Sequence, residues 1–145
     1  MKLLIQRVSQ ASVKIDDQNV ASIANGILVF VGFDPCDTAI EITKLTNKLL
    51  NYKVFNDTRG RVSLSVIEAQ AEVLLVPQVT LAVKTNKGLK PSFSGAADPE
   101  KGLELFKVFK DHLQGSYSKI QAGRFGANMS VSLINEGPIT YWFEV

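Results

Sequence analysis

The sequence predicts an α+β domain in which mostly antiparallel, barrel-like β-sheets carry two main helices packed against them. Three observations predict it. Most of the chain alternates apolar and polar residues with the period of two that marks half-buried strands. Two stretches switch to helical spacing, and their order is strands, helix, strands, helix, strands. The 145 residues suit one domain spanning 1–145, long enough to bury most of its apolar surface in a single core.

Residues 2–15 open with a strand, with Leu3, Ile5, Ala11, Val13 and Ile15 on one parity. Its apolar face is interrupted at Arg7 and Ser9. Arg7 is either turned back to solvent by a bulge or buried with its fork of donors on backbone carbonyls. Asp16-Asp17-Gln18-Asn19 reads as a hairpin turn, and Val20–Ala24 as the returning strand. Asn25-Gly26 is a turn signal, after which Ile27–Val31 is a continuous apolar run suited to a central strand.

Asp37 or Thr38 can cap a helix over 38–52, whose apolar stripe is Ile42, Leu45, Leu49 and Tyr52. A short strand over Lys53–Phe55, a turn at Asn56–Gly60 and an extended segment over Val62–Val66 lead to Glu72–Val76, a strand of buried type. It runs on into Pro77-Gln78-Val79-Thr80-Leu81. A proline in so apolar a strand implies an edge or a bulge that leaves the backbone of Gln78 and Val79 open to a ligand.

The stretch Lys84–Phe93 has no periodicity and carries Lys84, Lys87 and Lys90, so it is a loop with a positive face, either simply solvated or contacting phosphate. Asp98 with Pro99 marks a helix start, and Leu103, Phe106, Phe109 or the Lys110 stem, and Leu113 form its buried stripe before an end near Gly115. Ser118–Ala122 is a strand and Gly123-Arg124-Phe125-Gly126 a tight turn before a closing hairpin. In that hairpin Met129, Val131 and Leu133 alternate on one side of Gly137-Pro138, and Ile139, Tyr141, Phe143 and Val145 on the other. A proline cannot continue a central ladder, so Gly137-Pro138 reads as a loop, an edge or a special turn.

Composition excludes several classes. The longest apolar runs are far too short to span a bilayer, and the N-terminus turns polar too early for a signal segment, which points to the cytoplasm. The single cysteine, Cys36, and the single histidine, His112, make neither an internal disulfide nor a recognisable metal site, so no metal and no cofactor are expected. A formal charge of +2 permits nucleic-acid contact without demanding it. There is no Gly-x-Ser-x-Gly elbow, phosphate loop or His-Glu-x-x-His. Thr80 has no base beside it in sequence and reads as a packing residue, and His112 reads as a solvated side chain near a helix C-terminus.

Several stretches together resemble one family. Ile5-Gln6-Arg7-Val8 with Ala11-Ser12-Val13, Gln78-Val79-Thr80-Leu81, Lys87-Gly88 with Pro91-Ser92-Phe93, Gly123-Arg124-Phe125-Gly126 with Met129, Val131 and Leu133, and Asn135-x-Gly137-Pro138-Ile139-Thr140 occur in the order and at the spacing of the D-aminoacyl-tRNA deacylases. The resemblance runs from end to end. It implies hydrolysis of the D-aminoacyl-tRNA ester, and of glycine misattached to an alanine tRNA, by a homodimer. Gly137-Pro138 of one subunit, its bond cis, enters the pocket of the other and screens chirality by excluding an L side chain.

The resemblance also implies that the terminal adenosine's 2′-hydroxyl assists the reaction, while the backbone at Gln78, Val79 and Thr80 positions the ester carbonyl. Pro77 and Met129 wall the pocket, Phe93 neighbours the adenine, and Arg7 anchors the inserted turn. Pro77 stands where the family usually has serine, and Val79 where phenylalanine is common. That Pro-Gln-x-Thr-Leu pattern is similar to a paralogous branch that removes L-alanine from a threonine tRNA and holds its Gly-Pro bond trans, whereas Gly137–Thr140 is similar to the D-specific branch. A scaffold that has lost catalysis and binds RNA or a partner is the reading from a different class.

Overall fold

The computed structural model describes residues 1–86 and 88–145. Lys87, the middle lysine of the positive loop, lies outside the described residues. The chain forms β1 (Lys2–Ile15), β2 (Gln18–Ile23), β3 (Gly26–Gly32), α1 (Ala39–Asn51), β4 (Phe55–Asn56), β5 (Val62–Leu64), β6 (Glu72–Pro77), α2 (Pro99–Ser116), β7 (Ile120–Ala122) and β8 (Ser130–Glu144), with 3₁₀ turns at Val79–Ala82 and Phe93–Gly95.

The main sheet runs β2-β1-β3-β6-β7, and β8 lies along the other edge of β1. The β1 pairings are antiparallel, but β3–β6 and β6–β7 are parallel because each is joined through a helix. Side chains alternate between two cores. Ile27, Val29, Val31, Val73 and Leu75 face α1 and α2, while Leu28, Leu74 and Val76 face the concave side with Ala11, Val13, Ala21 and Ile23. Burying each such aliphatic side chain contributes roughly 1.5–3 kcal/mol.

Local chemistry explains most element boundaries. Asp16 and Asp17, at φ +49 and +61, form a two-residue turn that closes Ile15 on Gln18, the tight connection whose twist suits antiparallel strands. Thr38, and not Asp37, caps α1: its hydroxyl accepts from Ile40 N–H, and Glu41 returns to the Thr38 N–H, a capping box. Gly26 serves β3 through close approach, since a Cβ there would lie 2.1 Å from the Glu72 carbonyl oxygen. Asp98 caps α2, accepting from Lys101 N–H at 2.9 Å with Pro99 at the first helical position.

Four sequence expectations change. The odd positions of β1 do not share one face, because Ser9 is an extra residue against β8, where Val8 pairs Asn135 and Gln10 pairs Ile134. That bulge turns Ala11 and Val13 to the side of Val8, opposite Leu3 and Ile5, which face the helices. On α2 Phe106, Phe109 and Leu113 are buried as expected, but Leu103 is exposed and Leu105 takes its place in the stripe. Tyr52 caps α1 from outside the helix and is half-exposed. The closing segment is no hairpin: β8 is one strand, and both its halves pair with β1.

Candidate functional site

The interruption in β8 lies opposite Arg7. Gln6 pairs Thr140 and Val8 pairs Asn135, so the single residue Arg7 faces the four residues Glu136–Ile139, which leave the ladder as a protruding loop. Gly137 sits at φ +116 and the Gly137–Pro138 peptide bond is cis, the isomer that the resemblance to the D-specific branch implies. Arg7 is buried, at 7% exposure. It donates from Nε to the Glu136 carbonyl at 3.1 Å, and from Nη1 to the Val54 carbonyl at 2.9 Å and Asn56 Oδ1 at 3.2 Å. Of the two alternatives for Arg7, the carbonyl-holding one is found, and one of those carbonyls belongs to the loop.

A cavity of about 810 Å³ opens elsewhere on the chain. Val76, Pro77, Gln78 and Val79 form its first wall, Phe93, Ala96, Ala97 and the start of α2 its second, and Phe125–Met129 with Val131 its third. Gly123 lets the walls meet, since a Cβ there would stand 2.8 Å from Met129 Sδ and 3.8 Å from Pro77 Cδ. The structure thus gathers Pro77, Gln78, Val79, Phe93 and Met129 into one lining. It leaves Thr80, Arg7, Gly137 and Pro138 out of it, and Arg7 lines a separate, smaller cavity with Glu136.

Pro77 ends β6 where β7, paired only to Val73–Leu75, has already stopped. One side of the strand is therefore open at the proline, which needs no ladder partner there. Gln78 N–H is not open to a ligand, contrary to expectation, because it donates to the Val31 carbonyl at 2.7 Å. The chain then leaves the strand, with Gln78 at φ −142 and ψ 86, and enters the 3₁₀ turn Val79–Ala82. Thr80 is accordingly a turn residue, not a strand one.

The N–H groups of Val79 and Thr80 open that turn and have no acceptor among the described residues, as the first donors of a helical turn lack internal partners. Gln78 Nε2 donates to Thr80 Oγ1, so the Thr80 hydroxyl is held against an amide and not against a base. Among the described residues the cavity lining contains no cysteine, histidine, lysine or arginine; Asp98, the one carboxylate among them, is engaged as the α2 cap. Among the described residues no cluster of three or more His, Cys, Asp or Glu could hold a metal ion, and no helix is long and apolar enough to cross a membrane.

A lining with apolar walls, the two carboxamides of Gln78 and Asn128, the Val79 backbone and, among the described residues, no nucleophile–base pair is suited to orienting a substrate that carries its own reactive group. The sequence profile of the D-Tyr-tRNA(Tyr) deacylase family matches residues 4–144. The chain belongs to that family. D-aminoacyl-tRNA deacylases of Ectopseudomonas mendocina and Marinomonas sp. are 45% and 44% identical to it over 145 and 144 residues, and all of each relative is covered. The D-aminoacyl-tRNA deacylase of Dichelobacter nodosus is 46% identical, with 98% of each chain covered. The structure of the c-Myc DNA Unwinding Element Binding Protein is 37% identical and superposes with a TM-score of 0.96, covering 100% of this chain and 99% of that one. A probable eukaryotic D-amino acid tRNA deacylase, at 18% identity and a TM-score of 0.88, shares the fold over 99% of this chain and 98% of its own.

Within this deacylase-family cavity the sequence reading missed Phe125, Asn128 and the Ala96–Ala97 pair. Gly123–Gly126 carries the signal of a turn, with Gly126 at φ +76, but nothing local says that the turn faces Pro77. Asn128 supplies a second carboxamide to the lining.

Proposed function

We propose that the protein hydrolyses the ester of D-aminoacyl-tRNA, releasing the amino acid and free tRNA, and that the cavity beside Gln78 and Val79 receives the aminoacylated end. The match to the deacylase profile over nearly the whole chain carries this reading. The ester carbonyl lies against the unpaired N–H groups of Val79 and Thr80, which stabilise negative charge on its oxygen as the tetrahedral intermediate forms. As the family resemblance implies, the 2′-hydroxyl of the terminal adenosine assists the attack of water, and the protein's part is orientation and polarisation, a division supported by a lining that offers no nucleophile–base pair among the described residues.

Chirality is judged by a second copy of the chain. The loop Glu136–Ile139 protrudes from β8 and does not line its own subunit's cavity. In a homodimer the Gly137–Pro138 turn enters the partner's cavity, where it fills the volume that an L side chain needs and leaves room for D-aminoacyl and glycyl esters. Glycine misattached to an alanine tRNA is thereby also a substrate.

Pro77, on the cavity wall, is the residue that favours the paralogous reading, removal of L-alanine from a threonine tRNA. Incubation of the protein with D-tyrosyl-, L-tyrosyl- and L-alanyl-tRNA, followed by quantifying the remaining ester, separates the readings. Rapid loss of the D-tyrosyl ester alone is expected. Selective loss of the L-alanyl ester would establish the paralogous activity, and persistence of all three would leave a binding module.

A further inference from the structure

Outside the cavity, one polar cluster has no role in the chemistry above. Lys84 and Ser92 exchange both backbone hydrogen bonds, Lys84 N–H to the Ser92 carbonyl at 2.9 Å and Ser92 N–H to the Lys84 carbonyl at 3.0 Å. Residues that exchange both bonds across an antiparallel bridge project their side chains to the same side. Ser94 joins them, its Oγ 3.1 Å from Ser92 Oγ. Gly95 is required first by the Ala82 carbonyl oxygen, which a Cβ there would approach to 2.6 Å, and the Lys84 stem also runs along it, with Cγ 3.1 Å and Cε 3.4 Å from that Cβ position.

This cluster sits on the cavity's lip. Phe93, between the two serines, lines the cavity and is 55% exposed, and Ala96, next to Gly95, lines it too. Lys84 is exposed and takes part in none of the ion pairs among the described residues. An unpaired ammonium, two hydroxyls able to turn outward and an exposed aromatic face are the groups that hold a nucleotide: donors for the phosphate, a ring for the base.

We propose that Lys84, Ser92 and Ser94 form a phosphate subsite that holds the phosphodiester preceding the terminal nucleoside of the RNA. The proposal rests on the deacylase reading for the identity of the RNA, and adds a site that sets the depth to which its end enters the cavity. A flexible single-stranded end needs such a hold, because the cavity walls themselves carry almost no charge for its backbone.

The test is a double-perturbation cycle on binding. The probe is an unacylated RNA stem-loop ending in CCA, whose last linkage is either a phosphodiester or a neutral methylphosphonate, titrated against wild-type protein and Lys84→Gln. Glutamine keeps the stem that packs on Gly95 and removes the charge, and Lys84→Arg serves as the charge-retaining control. Each single change is expected to weaken binding about tenfold, the size of one charge-assisted hydrogen bond. The combined change weakens it no further, and arginine restores most of the affinity. Effects that multiply, or a Lys84→Gln protein that binds like wild type, would overturn the subsite. Release of D-tyrosine from D-tyrosyl-tRNA by the wild-type protein is measured in parallel. Its absence would refute the deacylase reading, while the binding cycle still judges the subsite.

Discussion

Arg7 lies against Gly137. A Cβ placed on Gly137 would come within 2.9 Å of Arg7 Nη2, while Arg7 Nε holds the Glu136 carbonyl. Glycine is needed twice here, for the contact and for φ +116, a conformation that side chains rarely adopt. The arginine thus fastens the protruding loop of β8 to Val54 and Asn56, so the loop's shape is set by the subunit that carries it.

Arg7→Lys is the informative replacement. A lysine keeps the charge, but its ammonium cannot serve the Glu136 carbonyl, the Val54 carbonyl and Asn56 Oδ1 from the positions of a planar fork. With the buried Val54 carbonyl and two part-buried acceptors short of a donor, stability should fall by about 1–3 kcal/mol in urea titrations. Deacylase activity should fall even at temperatures where the variant is fully folded, because the loop is no longer fixed.

Thr80→Val tests whether the protein supplies a nucleophile. The hydroxyl accepts from Gln78 Nε2, so its removal loosens one amide, and hydrolysis of D-tyrosyl-tRNA should stay within about tenfold of wild type. Complete loss in a folded variant would make Thr80 the nucleophile. The companion measurement uses substrate ending in 2′-deoxyadenosine, which should react slower by about a hundredfold or more; equal rates would remove the 2′-hydroxyl from the mechanism.

Much of this arrangement was legible in the sequence, and the exceptions have definite causes. Arg7 stood out because a charged residue interrupted an apolar parity; of its two readings, the bulge that turns it to solvent fails, since the bulge lies at Ser9 and Arg7 is buried. Asp98-Pro99 and Thr38 marked helix starts because capping is local chemistry. Gly137-Pro138 suggested a hairpin because a proline between two alternating runs breaks a pattern. Only the pairing of both halves of β8 with β1 shows that the strand continues past it, and pairing is not local. For the same reason Pro77, Gln78 and Val79 were recognisable as a site, whereas Phe125 and Asn128 were not, since their place depends on Gly123 bringing Met129 up to Pro77.

A pH prediction concerns the segment that receives Arg7. Glu68 accepts from Lys53, the residue before Val54, and from the Ser65 N–H. The Lys53 ammonium, and then the Ser65 bonds, hold its carboxyl down from its ordinary 4.5 to about 2. A depressed carboxylate pKa lends stability that is complete above the unfolded value and is lost as pH falls through the folded one. Wild type should therefore lose stability relative to Glu68→Gln between about pH 4.5 and pH 2, with no change in their difference above that window, as read from thermal melts across pH.

The proposed division of labour between two copies of the chain is tested most directly by complementation. Gly137→Val disables the turn that a subunit donates, and Val79→Trp fills the cavity that it offers, so each homodimer should be inactive on D-tyrosyl-tRNA. Co-refolded in equal amounts, half of the dimers pair one variant with the other, and each of those holds one intact site, giving about a quarter of wild-type activity for a twofold-symmetric dimer. Recovery to that level is the expected result, and a mixture as inactive as its parents, with mixed dimers present, would contradict a site shared between subunits.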